Sequence, residues 1–171
     1  MIRCKPERNP KQALFLVVVC ALIALACGIF CAKSSVYNWI AQLAFMGAVS
    51  VGVFAVYRYT MTEMVYTLGG GVFEVVKIVG KKHTTVCSLN IATAKDLVIK
   101  SAYKYNLDAK KYGTVQKYLN FRQNLHPAVS YVYVSEFNGK TISVEFEPNE
   151  IFVRAFLDEI DRNNGEQNPA T

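Results

Sequence analysis

The chain has 171 residues, 52% of them hydrophobic, and a formal net charge of +6. The apolar residues are concentrated near the beginning, where residues 13–57 carry a single charge, on Lys33. This distribution excludes a chain dominated by disorder, and it leaves roughly 110 residues for one small soluble domain with a core.

Two uncharged runs follow the basic residues 1–12, and each is long enough to form a membrane-spanning helix. The first run covers residues 13–32, and a helix of 20 residues extends about 30 Å, the thickness of the hydrocarbon layer. The second run covers residues 36–57 and has tyrosine and tryptophan side chains near its ends, as expected at membrane interfaces. The short link at residues 33–35 predicts an antiparallel hairpin.

Small residues recur at every fourth position in both predicted spans. This arrangement lets two helix backbones approach closely. We expect the small residues to pack the two helices of the hairpin together, with dimer formation as the alternative use. The residues are Ala24, Gly28 and Ala32 in the first span and Ala44, Ala48 and Gly52 in the second.

A cleaved lipoprotein signal is the alternative interpretation of the first apolar run, because the segment "ALAC" ends at Cys27. The length of the run and the second span directly after it favour a retained hairpin. The five cysteines form no C-x-x-C pair and are expected to be free thiols or small apolar packing residues.

The orientation follows from the basic residues that flank the spans. Arg3, Lys5, Arg8 and Lys11 precede the first span, whereas the link contains only Lys33. The positive-inside rule therefore predicts a two-pass protein of the cell (inner) membrane with both termini in the cytoplasm.

The hydrophobic pattern changes to a period of two at Thr62, which predicts β-strands separated by glycine-containing turns. Residues 91–113 fit both a strand and a helix. We expect strands at residues 62–68, 72–79, 84–89 and 115–122.

The last part of the soluble region predicts a β-hairpin followed by a helix. Residues 128–137 and 141–147 alternate around Asn138-Gly139, a strong signal for a two-residue hairpin turn. Pro148 then opens an amphipathic helix that ends near Arg162. In the second strand of the hairpin we expect Ile142, Val144 and Phe146 in the core and Thr141, Ser143, Glu145 and Glu147 toward solvent.

This order of elements, together with "YTLGGGVFEV" at residues 66–75 and "GKTISVEFEPNEIFVRAFLDEI" at residues 139–160, resembles the bacterial PH-like (pleckstrin-homology-like) membrane proteins with two transmembrane helices. The resemblance implies an α+β fold, in which a transmembrane helical hairpin precedes a PH-like antiparallel β-sandwich or barrel with a C-terminal amphipathic helix. It implies a cytoplasmic PH-like domain at residues 60–162, followed by a flexible polar tail at residues 163–171. The family provides no catalytic motif that could be transferred to this chain.

The glycines and lysines near Gly80 suggest a phosphate loop, but the required spacing is absent. A Walker A loop needs a glycine where Val75 stands and a serine or threonine where Lys82 stands. His83 and Cys87 would not converge from one strand, so we expect no metal site. Because the sequence contains no catalytic motif, we predict a protein that is not an enzyme and needs no cofactor.

The charges of the soluble region are polarised along the chain. Residues 77–122 contain ten Lys and Arg against two acids, whereas residues 136–166 contain eight acids against three Lys and Arg. A basic half beside a membrane can contact anionic lipid, although a merely solvated lysine surface is the alternative. The candidate contacts with anionic lipid or another ligand are Lys77, Lys81, Lys82, His83, Lys110 and Lys111.

The sequence therefore predicts a membrane-anchored PH-like binding or adaptor protein. Its expected partners are the lipid bilayer and a protein, either of another kind or a second copy of this chain, and not nucleic acid. The alternative function is a sensor of anionic lipid or of a phosphorylated ligand through the basic surface.

Overall fold

The computed structural model describes residues 1–33 and 38–167. The end of the predicted link, the first residues of the second predicted span and the last four residues of the predicted tail lie outside these ranges. The chain divides into a helical unit, residues 8–62 with 124–126, and a β unit formed by residues 1–7, 63–123 and 127 onward.

The helical unit consists of two long apolar helices. Helix α1 covers Pro10–Lys33, and helix α2 covers Asn38–Ala55 and continues as a turn of π-helix over Val56–Met61. Both are long and apolar enough to cross a membrane, with mean hydropathies of 3.0 and 1.9. Large apolar side chains such as Phe15 and Trp39 are more than 60% exposed on this unit, so its surface suits a hydrocarbon environment better than water.

The β unit contains two four-stranded sheets. Sheet A has the order β1-β2-β3-β4, and sheet B has the order β5-β7-β8-β6. The strands of sheet A are β1 (Ile2–Cys4), β2 (Thr62–Gly69), β3 (Val72–Val79) and β4 (Lys82–Asn90); those of sheet B are β5 (Ala94–Ile99), β6 (Val115–Asn120), β7 (Tyr131–Phe137) and β8 (Lys140–Phe146).

Strand β1 comes from the basic segment before the first apolar helix, where the sequence predicted no strand. It pairs antiparallel with β2, with Ile2 opposite Leu68 and Cys4 opposite Tyr66. The absence of a side chain at Gly69 permits this pairing. A Cβ atom at this position would lie only 3.0 Å from the Cα atom of Met1, too close for an unstrained contact. The N-terminal residues are therefore part of the β unit, although the two apolar helices separate them from it in sequence.

Residues 91–113, which the sequence left ambiguous, form both kinds of structure in succession. A 3-10 turn at Ile91–Thr93 precedes β5, and helix α3 then covers Lys100–Asp108. The backbone N–H group of Lys100 donates to the carbonyl oxygen of Ser130, which fixes the start of α3 beside the segment before β7.

Strand β3 and the β7–β8 hairpin confirm the corresponding predictions. Strand β3 has the predicted bounds, and Asn138 and Gly139 have φ values of 51° and 70°, as a two-residue hairpin turn requires. The sequence predicted only antiparallel strand pairs, but in sheet B strand β6 pairs parallel with β8.

The core lies between the sheets and is closed by helix α4, Glu150–Gln167. Phe152 and Phe156 of α4 are fully buried, and the ring centroids of Phe156 and Tyr133 are 5.0 Å apart. Burying one such aromatic side chain contributes about 1.5–3 kcal/mol relative to exposure. The helix continues five residues past its predicted end at Arg162, into the segment expected to be a flexible tail.

The observed α+β architecture, with two long apolar helices, β-sheets and a C-terminal helix, confirms the fold class predicted from the resemblance. If residues up to Cys27 were removed as a signal, sheet A would lose β1, and the core would lose the side chain of Cys4, which is 2% exposed.

Candidate functional site

The outer face of sheet B carries a buried polar layer instead of the solvent-exposed surface that the sequence predicted. Ser143 and Glu145 are completely buried, and Thr141 and Glu147 are less than 9% exposed. The expectation that these four side chains of the β8 region face solvent is therefore wrong. The reason lies in α3 and the loop after it, which bring Tyr103 and Tyr112 onto the valines of β7.

Glu145 is the centre of this layer; it accepts hydrogen bonds from three sequence-distant residues and forms an ion pair with a fourth. Its Oε1 atom lies 2.7 Å from Lys100 Nζ, 2.9 Å from Ser130 Oγ and 3.5 Å from Arg122 Nε. The hydroxyl group of Tyr118 donates to Oε2. Both carboxylate oxygens are thus engaged by donors of the β unit.

The environment of Glu145 keeps its carboxylate charged. Burial alone would raise its pKa, but the hydrogen bonds from Lys100, Tyr118 and Ser130 and the charge of Arg122 outweigh burial and hold the pKa below its usual value. For Tyr118, burial and the bond to Glu145 both raise the pKa of the phenol. Tyr118 therefore remains a proton donor to Glu145 at physiological pH.

A second part of the polar layer joins the loop after α3 to β5. The Tyr112 hydroxyl group donates across 2.8 Å to Asp96 Oδ2, and the same oxygen lies 2.6 Å from Lys111 Nζ. Burial raises the pKa of Tyr112 to about 12, and the hydrogen bond to Asp96 adds to the increase. The Tyr103 ring stacks on Tyr112 at 5.7 Å, and its hydroxyl group is 3.0 Å from Ser143 Oγ.

A cleft of about 460 Å³ opens next to Glu145. One wall comes from the end of β5 and the first turn of α3, and the other comes from the segment before β7. Lys100 and Ser130, which bind Glu145 from one side, also line the cleft. The complete lining consists of residues 99–101, Lys104 and residues 127–130.

The structure divides the six predicted basic residues between the β3–β4 hairpin of sheet A and the loop after α3. Lys81 lies in the turn between β3 and β4, and strand alternation puts Lys77 and Lys82 on one face and His83 on the other. Lys110 and Lys111 follow α3 beside sheet B, where Lys111 is paired with Asp96. Whether any of them binds a ligand stays a prediction.

The six predicted small residues of the apolar helices also differ in their surroundings. A Cβ atom at Gly52 would lie 3.5 Å from the Cβ atom of Cys20, so Gly52 faces α1. Ala24 and Ala48 are half-buried, whereas Ala32 and Ala44 are exposed. At Gly28 a Cβ atom would meet no atom within 4 Å among the described residues.

The sequence did not predict the cleft. Its lysines, Lys100 and Lys104, lie in the ambiguous segment 91–113, and Glu145, which pairs with Lys100, occupies a strand position of the kind that usually faces solvent. The pattern Thr-Ile-Ser-Val-Glu-Phe at residues 141–146 alternates as a half-exposed strand does. The sequence pattern does not show that α3 covers this face of β8 and turns it into a buried one.

A scan against protein-family models matches residues 4–164 to a family described as the bacterial PH-like domain (DUF6106). The match includes both apolar helices and nearly all of the β unit. A search of curated proteins finds no match.

Proposed function

The chain belongs to the family of bacterial PH-like domains, and from this premise we propose that it is a membrane-anchored module that docks a protein partner at the cytoplasmic membrane face. The observation that carries the proposal is the pairing of β1 with β2. Strand β1 leads into the first apolar helix, and β2 follows the second. Two neighbouring strands of one sheet are therefore both connected to the helical hairpin, which holds a binding domain at the membrane by two tethers.

The cytoplasmic location is supported by the basic residues of the N-terminal segment, Arg3, Lys5, Arg8 and Lys11. Because β1 belongs to the β unit, these residues and the β domain lie on the same side when both apolar helices cross the membrane. The positive-inside rule therefore applies to the β unit as well as to the N-terminus.

Helix α4 exposes two large apolar side chains, which support contact with a protein partner. Ile151 is 73% and Leu157 is 41% exposed, whereas Phe152 and Phe156 of the same helix are buried in the core. A protein docked on α4 would bury these two side chains and remove their apolar surface from water.

Photo-crosslinking in native membranes tests this docking. A photoreactive amino acid is introduced at Ile151, at Leu157, or at the control position Phe137, which is 48% exposed at the end of β7. We expect one protein, or a second copy of the chain, to be captured from both α4 positions and not from Phe137. Capture should disappear when Ile151→Asp is combined with the probe at Leu157. Equal capture from all three positions, or none from α4, would contradict the proposal.

A second candidate function, contact with anionic lipid, is favoured by the position of the β3–β4 turn. Strand β2 begins at Thr62, directly after the second apolar helix, and the turn at Gly70 and Gly71 sends β3 back toward that end of sheet A. Lys81 and Lys82 therefore lie at the end of the sheet where the chain leaves the membrane-spanning segment. Each lysine close to an anionic surface contributes about 1 kcal/mol to attraction.

Tryptic cleavage of the full chain in lipid nanodiscs tests this candidate. We expect cleavage after Lys81 and Lys82 to be slower in nanodiscs with anionic lipid than in neutral ones, and high salt to remove the difference. Lys140, the first residue of β8 after the β7–β8 turn, is the matched exposed control and should be cleaved at the same rate in both. The candidate fails if Lys81 and Lys140 respond equally to lipid charge.

A further inference from the structure

We propose that Val129 and Ile99, the exposed apolar side chains at the rim of the cleft, lie against the lipid bilayer. This inference rests on the proposed membrane anchoring, and it names residues of the β unit that contact lipid in addition to the two tethers. The surface is separate from the α4 positions and from the lysines of the β3–β4 turn. Its partner is the apolar boundary between the headgroups and the acyl chains.

The attachment of residues 124–126 to the start of α1 carries the inference. The Gln12 side chain exchanges two hydrogen bonds with the backbone of His126, because its Nε2 atom donates to the carbonyl oxygen across 2.8 Å and its Oε1 atom accepts from the N–H group across 2.9 Å. The backbone N–H group of Asn9 also donates to Asn124 Oδ1 across 2.7 Å. Gln12 directly precedes the uncharged run that forms most of α1, so these bonds hold His126 where the helix enters the membrane.

The length of chain between His126 and Val129 keeps Val129 near the membrane surface. Successive Cα atoms are about 3.8 Å apart, so the Cα atom of Val129 lies at most about 11 Å from that of His126. The headgroup layer on each side of the hydrocarbon core is about 5–8 Å thick. Val129 is therefore within reach of this layer whatever path the two intervening residues take.

Ile99 lies at the same end of sheet B as Val129. The register of β5 and β7 places Ile99 opposite Tyr131, and the backbone N–H group of Lys100 donates to the carbonyl oxygen of Ser130 across 2.9 Å. Ile99 and Val129 are 42% and 56% exposed. Lipid contact at this end would remove the apolar surface of both side chains from water.

The two ends of the β7–β8 hairpin differ in charge in the way that this placement requires. Residues 123–130, which precede β7, contain no Lys, Arg, Asp or Glu, whereas Glu136 and Lys140 flank the turn at the other end. Charged side chains are costly beside hydrocarbon, so the uncharged end suits lipid and the charged end suits water. Phe137, at the charged end, is separated from the start of β7 by about 20 Å.

Quenching of tryptophan fluorescence by lipids with brominated acyl chains tests the contact. Trp39 is the single tryptophan of the chain, so Trp39→Phe provides a background without this fluorophore. The full chain is reconstituted with a new tryptophan from Val129→Trp, Ile99→Trp or the control Phe137→Trp, a position that is 48% exposed. We expect brominated lipid to quench both rim positions several-fold more strongly than the control. The inference is overturned if neither rim position is quenched, or if the control is quenched to the same extent.

Trp39 of the unmodified chain separates this inference from the anchoring on which it rests. It lies in α2 and is 63% exposed, so brominated lipid should quench it when α2 crosses the membrane. Quenching of Trp39 without quenching at either rim position overturns the rim contact and leaves the anchoring intact. No quenching of Trp39 contradicts the anchoring, and the rim contact with it.

A charge at Val129 provides a second test in which the fluorophore stays in place. Val129 is exposed, so Val129→Asp is compatible with folding, but its carboxylate disfavours contact with hydrocarbon. In the Ile99→Trp chain we expect Val129→Asp to reduce quenching several-fold, whereas Val129→Leu retains it. Equal quenching in these two variants would contradict a rim that rests on the bilayer.

Discussion

The ammonium group of Lys100 lies 2.7 Å from Glu145 Oε1, although the two residues are 45 positions apart in sequence. Lys100 begins α3, and Glu145 is near the end of β8. Their ion pair therefore fixes the covering helix to the sheet beneath it, and it places one cation at the wall of the cleft.

Substitution of Glu145 tests how much this cluster stabilises the β unit. Glu145→Gln keeps the shape but removes the counter-ion of Lys100 and Arg122, and we expect it to lower the free energy of unfolding by about 3 kcal/mol. The control Glu136→Gln removes an exposed carboxylate paired with Lys95, and it should cost less than about 1 kcal/mol. Denaturant titration of the full chain in detergent, followed by tyrosine fluorescence, measures both. Equal stability of the two variants would contradict a stabilising cluster.

Acidification provides an independent measure of the same interaction. The pKa of Glu145 is lower in the folded chain than its ordinary value, so the unfolded chain binds the proton at higher pH. The stabilisation is therefore fully present above the ordinary carboxyl pKa, about 4.3, and is lost as pH falls through the folded pKa. Between pH 5 and pH 3, wild type should lose more stability than Glu145→Gln. Parallel losses would show that other carboxyl groups account for acid sensitivity.

The elements that the sequence predicted well are those whose signals are local. Strand β3 is rich in β-branched residues and is bounded by glycine-containing turns, and the Asn138-Gly139 turn requires positive φ values that few residues adopt. The helical periodicity that buries Phe152 and Phe156 is likewise contained in one short segment. For these elements the local pattern and the tertiary structure favour the same conformation.

The elements that the sequence missed depend on partners far away in the chain. Strand β1 has only three residues, and it is a strand because β2 offers it an edge 62 or more residues later. Glu145 sits at an alternating position that ordinarily faces solvent, and it is buried only because α3 covers it. The cleft could not be predicted for the same reason, since its two walls are separated by more than 20 residues.

The contribution of β1 to the fold can be tested with two substitutions in the same strand. Cys4 is 2% exposed and packs in the main core, whereas Ile2 is 41% exposed. We expect Cys4→Asp to destabilise the β unit by about 3 kcal/mol, because it buries a carboxyl group among apolar side chains. Ile2→Asp should cost less than about 1 kcal/mol. Denaturant titration in detergent measures both, and equal effects would indicate that β1 does not pack as described.

The pairing of β1 with β2 also predicts the topology of the full chain in the membrane. Both termini should lie on one side, and the positive-inside rule, applied to the basic N-terminal residues, predicts that this side is the cytoplasm. A reporter that is active only outside the cytoplasm should be inactive when fused to either end, and a fluorescent protein that folds in the cytoplasm should be bright at both. Activity of the first reporter at either terminus would contradict the proposed orientation.

The contact between the two apolar helices can be tested with one introduced cysteine. A Cβ atom at Gly52 would lie 3.5 Å from that of Cys20, within the distance of about 3.5–4.5 Å that disulfides need. In a chain whose other cysteines are replaced by alanine, mild oxidation should join Cys20 to the thiol introduced by Gly52→Cys. Peptide mass spectrometry after proteolysis measures this intrachain bond.

The matched control is Gly28→Cys in the same background, because that position of α1 faces no atom within 4 Å in the described part of the chain. It should form no intrachain disulfide with Cys20. A bond between two chains through Gly28→Cys would instead show that this face of α1 joins two copies. Failure of Gly52→Cys to react with Cys20 in the membrane would mean that α1 and α2 do not pack through Gly52, and the small residues would then need another explanation.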